Sequence, residues 1–256
     1  EIQEGNKQFP HIIDSIDFQL NNSKIIHPVS GLGLKISNGG LAHSGHILIN
    51  KLDIISNSSN YAIEMHNTSA KSNLLDISGE NLGLYWSGSV LDSYLNNSVF
   101  SSENTSCLYL ENHQTLFSHN VSFSCKNNPS INRSIVSFSE SEFINHSDSF
   151  NLLGSSHISW ISSSPIGNPT NLGNNTLDVS FFLKIFVINQ NLMNIPNSEI
   201  SINFSEFENP RLITLPFSGL DVVGPLIGKR WNSIDWSETN MANITCNYDN
   251  TENSSE

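Results

Sequence analysis

Two tyrosines, Tyr85 and Tyr109, are the residues of this sequence whose type and spacing best suit the recognition of a ligand. They occupy the third position of two similar segments, Gly-Leu-Tyr-Trp and Cys-Leu-Tyr-Leu. Exposed aromatic rings offer apolar surface, and carboxylates beside them accept hydrogen bonds from hydroxyl groups, a combination that suits carbohydrate. The predicted ligand-binding set therefore also contains Glu64, His66 and Glu111. The alternative is an ordinary aromatic ladder that stabilises the packing between strands.

Two aspartates, Asp53 and Asp76, are weak candidates for catalysis or for binding Ca²⁺. Both lie in the tripeptide Leu-Asp-Ile, so a repeating fold would stack them on one face. Two carboxylates placed in this way can hold Ca²⁺ or act as an acid/base pair. The alternative, which the sequence favours, is a solvated row on the outer face of a strand. We therefore predict no catalytic residue, and Ca²⁺ is the only cofactor that remains under consideration.

Other kinds of functional site lack the residues that they need. His43 and His46 form the tightest histidine pair, but zinc requires three or four converging ligands, so no metal site is predicted. The sequence contains neither a Gly-x-Ser-x-Gly nucleophile motif nor a glycine-rich phosphate loop. The formal net charge of −13, with 11 Lys and Arg against 24 Asp and Glu, leaves no basic surface for nucleic acid.

Short apolar segments that recur along residues 18–160 must position these side chains. The chain has only 4 Ala against 28 Ile and 36 Asn, and this composition disfavours helices. Each segment of one set has apolar second and fourth residues, and a second set lies between the members of the first. The first set comprises 33–36, 62–65, 83–86, 107–110 and 135–138, and the second comprises 52–54, 75–77, 98–100, 121–123 and 142–144.

This pattern of short strands and polar turns resembles the right-handed parallel β-helix repeat proteins, a family that includes extracellular polysaccharide-acting enzymes and surface adhesins. Each repeat buries its apolar face only by stacking on its neighbours. A β-sandwich is the main structural rival. The resemblance implies that the apolar residues of both sets face a continuous core. These residues are Leu34, Ile36, Ile54, Ile63, Met65, Ile77, Leu84, Trp86, Val99, Phe100, Leu108, Leu110, Phe123, Val136 and Phe138.

The pattern changes after Ile161, and a second module follows. Residues 166–175 are rich in Gly, Pro and Asn, as in a linker, and residues 176–187 then alternate at a period of two. This part resembles the opening of carboxypeptidase-regulatory-like or immunoglobulin-like β-sandwich modules, although it lacks the usual glycine in the first turn. We therefore predict an all-β chain with a right-handed parallel β-helix over 1–165, a linker over 166–175 and a complete or incomplete β-sandwich over 176–256.

The cysteines and the Asn-x-Ser/Thr sequons bear on the compartment. Cys107 and Cys125 are close enough in sequence to pair in an oxidising environment, although three buried thiols are the alternative. Twelve sequons exceed the number that composition predicts, which favours an exported chain, while some of them are simply turns or asparagine ladders. The candidate glycosylation sites are Asn57, Asn67, Asn104, Asn132, Asn145 and Asn174.

These observations together predict a non-catalytic extracellular or cell-surface segment with a structural or adhesive role, whose partners are carbohydrate or other surface components. No apolar stretch is long enough for a membrane span, and the chain reads as part of a longer protein. The first alternative is a β-helix polysaccharide lyase or glycoside hydrolase that uses Asp53, Asp76, Glu64 and His66. The second is a repeat unit of a surface layer or filament.

Overall fold

A computed structural model describes most of the chain. The described residues are 2–3, 11–13, 19–27, 34–37, 47–56, 61–89, 91–113, 115–144, 148–188, 191, 193, 195, 199–204, 211–214, 220–232, 234–238 and 242–247. All the regular structure in this part of the chain is β-strand, which confirms the predicted all-β class. It contains no helix of the length and apolar character that a membrane crossing requires.

Twenty-three strands make up the described structure. They are β1 (Ile2–Gln3), β2 (His11–Ile13), β3 (Gln19–His27), β4 (Leu34–Ser37), β5 (Ile47–Ser56), β6 (Tyr61–His66), β7 (Ala70–Gly79), β8 (Leu82–Ser89), β9 (Ser93–Ser106), β10 (Leu108–His113), β11 (Leu116–Asn127), β12 (Ser130–Asn132), β13 (Ile135–Ser139), β14 (Glu142–Phe143), β15 (Asn151–Gly154), β16 (His157–Ile161), β17 (Thr170–Gly173), β18 (Thr176–Phe186), β19 (Glu199–Phe204), β20 (Arg211–Thr214), β21 (Leu220–Trp231), β22 (Trp236–Glu238) and β23 (Ala242–Asn247).

Two long parallel sheets form a β-solenoid, as the repeat predicted. The solenoid part of sheet A consists of β1, β3, β5, β7, β9, β11, β13 and β16 in that order, with β14 also paired to β11. Sheet B contains β2, β4, β6, β8, β10, β12, β15 and β17. The chain alternates between the sheets, so one strand from each makes a coil, and each coil stacks on the next about 4.8 Å away.

The chain turns a corner within or directly after most of the sheet A strands, at a residue whose φ is positive. The residues with positive φ at this corner are Asn22, Lys51, Leu74, Asn97, Asn120, Glu140 and Ser162. Asn tolerates this conformation better than most residues, which gives one reason for its abundance. A buried serine follows the turn in several coils. Ser98 Oγ donates to the Asn96 carbonyl at 2.6 Å and accepts from the Leu75 amide at 3.1 Å, so it links two coils.

The core of the solenoid consists of stacked inward columns. Leu34, Ile63, Leu84 and Leu108 pair in register on β4, β6, β8 and β10, and all four are buried. Aromatic rings fill the later coils. Phe138 stacks on Phe150 with 5.3 Å between ring centroids. Because apolar residues in a coil can be buried only against the adjacent coils, these columns make the stack cooperative.

Two details of the predicted strand pattern are wrong. Val99 was expected to face the core, but its side chain is 42% exposed because Ser98 and Phe100 on either side of it point inward. Val136 and Phe138 were assigned to the same strand set as Leu108. They lie instead on β13 in sheet A, and the short strand β12 takes the place beside β10 in sheet B.

The chain divides into two compact units, residues 1–177 with 232–234 and residues 178–231 with 235–256. The segment predicted as a linker, 166–175, contains β17, which pairs in parallel with β15. In the second unit, β19 pairs with β20 and β23 in antiparallel fashion, and β21 pairs with β22 in the same way. Ile185, Ile200 and Leu226 form its buried apolar cluster.

Candidate functional site

The outer face of sheet B brings together all five residues of the predicted ligand-binding set. One outward row places Lys35, Glu64, Tyr85 and Tyr109 on consecutive coils. The next row places His66, Ser87, Glu111 and Asn132 on consecutive coils. Side chains two residues apart on a strand share a face, so the two rows form one continuous surface.

Stacked aromatic rings occupy the centre of this surface. The rings of Tyr85 and Tyr109 lie 5.3 Å apart between centroids with an angle of 18° between their planes. Tyr61 tilts against Tyr85 at 4.9 Å, and the His66 ring lies 5.3 Å from the Tyr85 ring. All four side chains are half-buried. The three tyrosine rings form an aromatic cluster on the outer face of the sheet, which we call the tyrosine platform (Tyr61, Tyr85 and Tyr109).

Glu111 is held by two hydrogen bonds from neighbouring coils. The Tyr85 hydroxyl donates to Oε2 of Glu111 at 2.8 Å, and the amide of Asn132 donates to Oε1 at 2.9 Å. Because each carboxylate oxygen already accepts one bond, the orientation of Glu111 is fixed. A ligand hydroxyl would therefore approach a preorganised acceptor rather than a mobile side chain.

Glu64 is the centre of a second polar cluster at the other edge of the platform. Its carboxylate lies 3.5 Å from the Lys35 ammonium group and contacts Nε2 of His66. The other ring nitrogen of His66, Nδ1, is 2.9 Å from the Ser87 hydroxyl. Lys35 and Glu64 compensate one another's charge, so the platform lies between two bound carboxylates rather than in a strongly charged cleft.

The hydroxyl groups of Tyr61 and Tyr85 stay protonated over the physiological range. Partial burial, followed by the hydrogen bond to Glu111, raises the pKa of Tyr85 to about 12. Burial also raises the pKa of Tyr61, and the charges of Tyr109, Glu64 and Glu111 add to that effect. A phenol with a raised pKa is a poor general base at neutral pH, but it remains a hydrogen-bond donor.

Two members of this surface were not predicted. Tyr61 begins β6 and was not assigned to a row, although its ring packs on Tyr85. Asn132 was considered only as a glycosylation site. Ser137 and Ser139 would have continued the two rows if the segment 135–138 belonged to this sheet, but they lie in sheet A. A signal for Asn132 exists, because Ser-Ile-Asn at 130–132 repeats the polar–apolar–polar pattern of Tyr-Leu-Glu at 109–111.

The two aspartates lie on the other sheet. Asp53 pairs in register with Asp76 on β5 and β7 of sheet A, and Lys24 occupies the same row on β3. The four candidate acid/base residues of the lyase or hydrolase alternative are thus divided, with Asp53 and Asp76 on sheet A and Glu64 and His66 on sheet B. Within the part of the chain that the structure describes, no group of three or more His, Cys, Asp or Glu side chains converges on a metal position.

The structure joins Cys107 and Cys125 in a disulfide, with their Cα atoms 5.3 Å apart and both side chains buried. Among the glycosylation candidates, Asn67, Asn104 and Asn174 are exposed and Asn132 is half-buried. Asn57 and Asn145 lie outside the described residues.

An asparagine ladder runs along sheet A, of the kind that the repeat led us to expect. Asn73 donates to Asn50 at 3.1 Å, Asn97 donates to Asn73 at 2.9 Å, and Asn120 donates to Asn97 at 3.0 Å, in each case from the side-chain amide to the side-chain oxygen. Asn120 belongs to a sequon and takes part in this ladder, which gives that sequon a structural role.

Comparison with known proteins found no family model, no curated protein and no solved structure that matches this chain.

Proposed function

We propose that this chain is a non-catalytic segment of an extracellular or cell-surface protein, with a structural or adhesive role, and that it binds carbohydrate through the tyrosine platform. The observation that carries the proposal is the stacked pair Tyr85 and Tyr109 on an outer sheet face, with the fixed carboxylate of Glu111 beside it. The apolar face of a sugar ring packs against such aromatic rings, and its hydroxyl groups donate to the adjacent carboxylates.

The disulfide and the sequons support the proposed extracellular compartment. A buried disulfide between Cys107 and Cys125 persists in an oxidising environment and is rare in the cytosol. The many sequons and the exposed positions of Asn67, Asn104 and Asn174 are consistent with secretion. The formal net charge of −13 would keep such a segment soluble at a cell surface.

We propose further that the solenoid is right-handed and that the second unit is a β-sandwich module. The connections between successive parallel strands of one sheet are right-handed in nearly all proteins. For the second unit, the support is the cluster of Ile185 on β18, Ile200 on β19 and Leu226 on β21, because apolar side chains from separate sheets pack together in a sandwich core.

The direct test is the binding of neutral and acidic glycans on an array, followed by calorimetry with the oligosaccharides that bind. The double variant Tyr85→Ala with Tyr109→Ala should abolish binding at the platform while circular dichroism shows an intact β-fold. Tyr109→Phe is the matched control, because it keeps the stacked ring and should retain most of the affinity. Unchanged affinity of the double alanine variant would exclude the platform as the binding site.

A further inference from the structure

A second aromatic surface lies on the outer face of sheet A. Leu48, Lys71, Tyr94 and Phe117 occupy one outward row on the consecutive strands β5, β7, β9 and β11. The rings of Tyr94 and Phe117 stack with 5.5 Å between centroids and an angle of 25°. Phe117 is 40% exposed, whereas Phe100, Phe123, Phe138 and Phe150 of the solenoid are fully buried.

The row beside these rings is made of amides. Asn50, Asn73 and Asn96 follow one another in register on β5, β7 and β9. Asn73 also belongs to the asparagine ladder, in which it donates one N–H to Asn50 and accepts one from Asn97. An amide carries two N–H donors and two lone pairs, so these ladder bonds use half of its capacity. The ladder therefore fixes the amide while leaving it able to bind a ligand.

The two rows enclose a shallow groove. Lys71, Asn73, Tyr94 and Asn96, together with Ser72, line a surface cavity of about 320 Å³. The Lys71 ammonium group lies 5.9 Å from the centre of the Tyr94 ring, at the edge of the range for a cation–π contact. The cavity is at the lower end of the size of small-molecule sites, and it combines an apolar wall with several fixed polar groups, as such sites do.

We infer that this groove binds a pyranose unit of a neutral glycan, with the apolar face of the sugar against the Tyr94 ring, which Phe117 supports from the next strand. The amides of Asn73 and Asn96 would exchange hydrogen bonds with neighbouring hydroxyl groups, and Lys71 would donate to another. This site is separate from the tyrosine platform, which lies on sheet B, and the inference does not depend on that platform.

The charges near the groove favour a neutral ligand over an acidic one. Asp76 lies three residues beyond Asn73 on the same strand, and Asp53 lies beside it on β5. The chain as a whole carries a formal net charge of −13. Lys24 occupies the same row as these two carboxylates, so together with Lys71 the local charges balance. A balanced site on a negatively charged chain offers little to a uronate, a sulfated sugar or a phosphate group. Aromatic and amide groups still contribute to the binding of a neutral sugar, because their contacts with it do not depend on net charge.

The test is calorimetry of the chain with neutral hexasaccharides of glucose, mannose, xylose and N-acetylglucosamine, and with oligogalacturonate as the acidic probe. We expect binding of at least one neutral hexasaccharide, with little dependence on salt. Tyr94→Ala with Phe117→Ala should weaken it about tenfold or more, because the contact area of the Tyr94 ring and the ring that supports it are both lost. The platform variant Tyr85→Ala with Tyr109→Ala is measured beside it: binding lost only in the Tyr94 and Phe117 variant places the sugar in the groove, and binding lost only in the platform variant overturns the inference.

Two further variants separate a binding role from a structural one. Phe117→Leu keeps an apolar side chain but removes the flat ring that stacks on Tyr94, so it should preserve the thermal midpoint and still weaken the binding of the sugar. Ser137→Ala, in the same row but beyond the groove, should change neither quantity. The inference is overturned if no neutral hexasaccharide binds, if only oligogalacturonate binds, or if Phe117→Leu and the double alanine variant bind as the unchanged chain does.

Discussion

Tyr85 donates its hydroxyl hydrogen to Oε2 of Glu111 at 2.8 Å, across the two neighbouring strands β8 and β10. The bond is diagonal, because Tyr85 pairs in register with Tyr109 while Glu111 pairs with Ser87. It thus ties the aromatic row to the polar row of the same sheet face. Any ligand on the tyrosine platform would meet a phenol and a carboxylate that already hold each other in place.

The first prediction concerns the ionisation of Tyr85. Its pKa of about 12 arises first from burial and then from the bond to Glu111, which stabilises the protonated phenol. Glu111→Gln removes that charge but leaves the burial, so the pKa of Tyr85 should fall part of the way towards its ordinary value of 10.0. Ultraviolet titration of tyrosinate would measure the change, with Tyr85→Phe used to assign the signal.

The control for this titration is Glu103→Gln, which changes an exposed glutamate elsewhere on the solenoid. It should leave the titration of Tyr85 where it is. An equal shift in both glutamine variants would mean that the net charge of the protein, rather than the bond to Glu111, sets the ionisation.

The second prediction concerns His113, which is buried beside Trp86. Burial lowers its pKa to about 4, although a hydrogen bond between its Nε2 and the Trp86 carbonyl at 3.0 Å acts in the opposite direction. The unfolded chain binds a proton near pH 6.5 while the folded chain does not. The free energy of unfolding is therefore unaffected by this group above pH 6.5. It decreases as the pH falls from 6.5 towards 4, by about 3 kcal/mol in total.

Urea denaturation at a series of pH values would measure this loss. His113→Gln can still donate to the Trp86 carbonyl but does not titrate, so its stability should decline less between pH 6.5 and 4. His119→Gln is the control for the replacement of a histidine by glutamine at an exposed position. Identical pH profiles for His113→Gln and the unchanged chain would refute the assignment.

The third prediction concerns Gly83, where two coils approach closely. A methyl group on Gly83 would overlap the carbonyl oxygen of Cys107, which also accepts a hydrogen bond from the Leu84 amide at 3.0 Å. Gly83→Ala should therefore destabilise the fold by about 1–3 kcal/mol through backbone displacement. Gly167→Ala is the matched control, because its methyl group would meet only the exposed carboxylate of Asp148, which can move aside. Comparable thermal midpoints for the two variants would argue against the close approach.

Stacking within the solenoid was predictable from sequence because the spacing of apolar pairs directly reflects the length of one coil. Leu34, Ile63, Leu84 and Leu108 were placed in one column on that ground, and they do stack. The next member was misplaced because β12 has only three residues and a single apolar side chain, Ile131. The alternating apolar residues of β13 give a stronger pattern, so β13 was assigned to that position in place of β12.

The surface residues were harder to predict than the core. Tyr85 and Tyr109 could be placed side by side because each lies between two inward residues. Tyr61 joins them through the reach and tilt of its ring, which no strand alternation encodes. The stacked pair Tyr94 and Phe117 was missed for a different reason. Neither residue belongs to the short segments that define the repeat, so the register that joins them became visible only in the structure.

The fourth prediction concerns the disulfide between Cys107 and Cys125, which are separated by 18 residues. Closing a loop of this length in the unfolded chain is worth about 3 kcal/mol in the chain-entropy description. Cys107→Ala with Cys125→Ala should lower the free energy of unfolding by about that amount. A reductant should lower the free energy of unfolding of the unchanged chain but not that of the double alanine variant. Cys246→Ala is the control. Chemical denaturation with and without dithiothreitol would show whether the bond contributes as stated.

The fifth prediction concerns which sequons carry glycans when the chain is secreted from a eukaryotic host. Asn104 is exposed, and its sequon should be occupied. The Asn132 amide donates to Glu111 at 2.9 Å, and Ser134 of the same sequon is buried, with its hydroxyl bonded to the Asn132 carbonyl at 2.8 Å. A glycan on Asn132 would displace the first bond and place a bulky group against the polar row of sheet B.

Loss of a hydrogen bond to a partly buried carboxylate costs about 1–3 kcal/mol, so chains glycosylated at Asn132 should fold less well and be depleted from the secreted pool. Peptide mass spectrometry after enzymatic deglycosylation would report the occupancy of each site. We expect high occupancy at Asn104 and low occupancy at Asn132, and Glu111→Gln should raise the latter by weakening the competing bond. Full occupancy of Asn132 in a stably folded product would show that its hydrogen bond to Glu111 is dispensable.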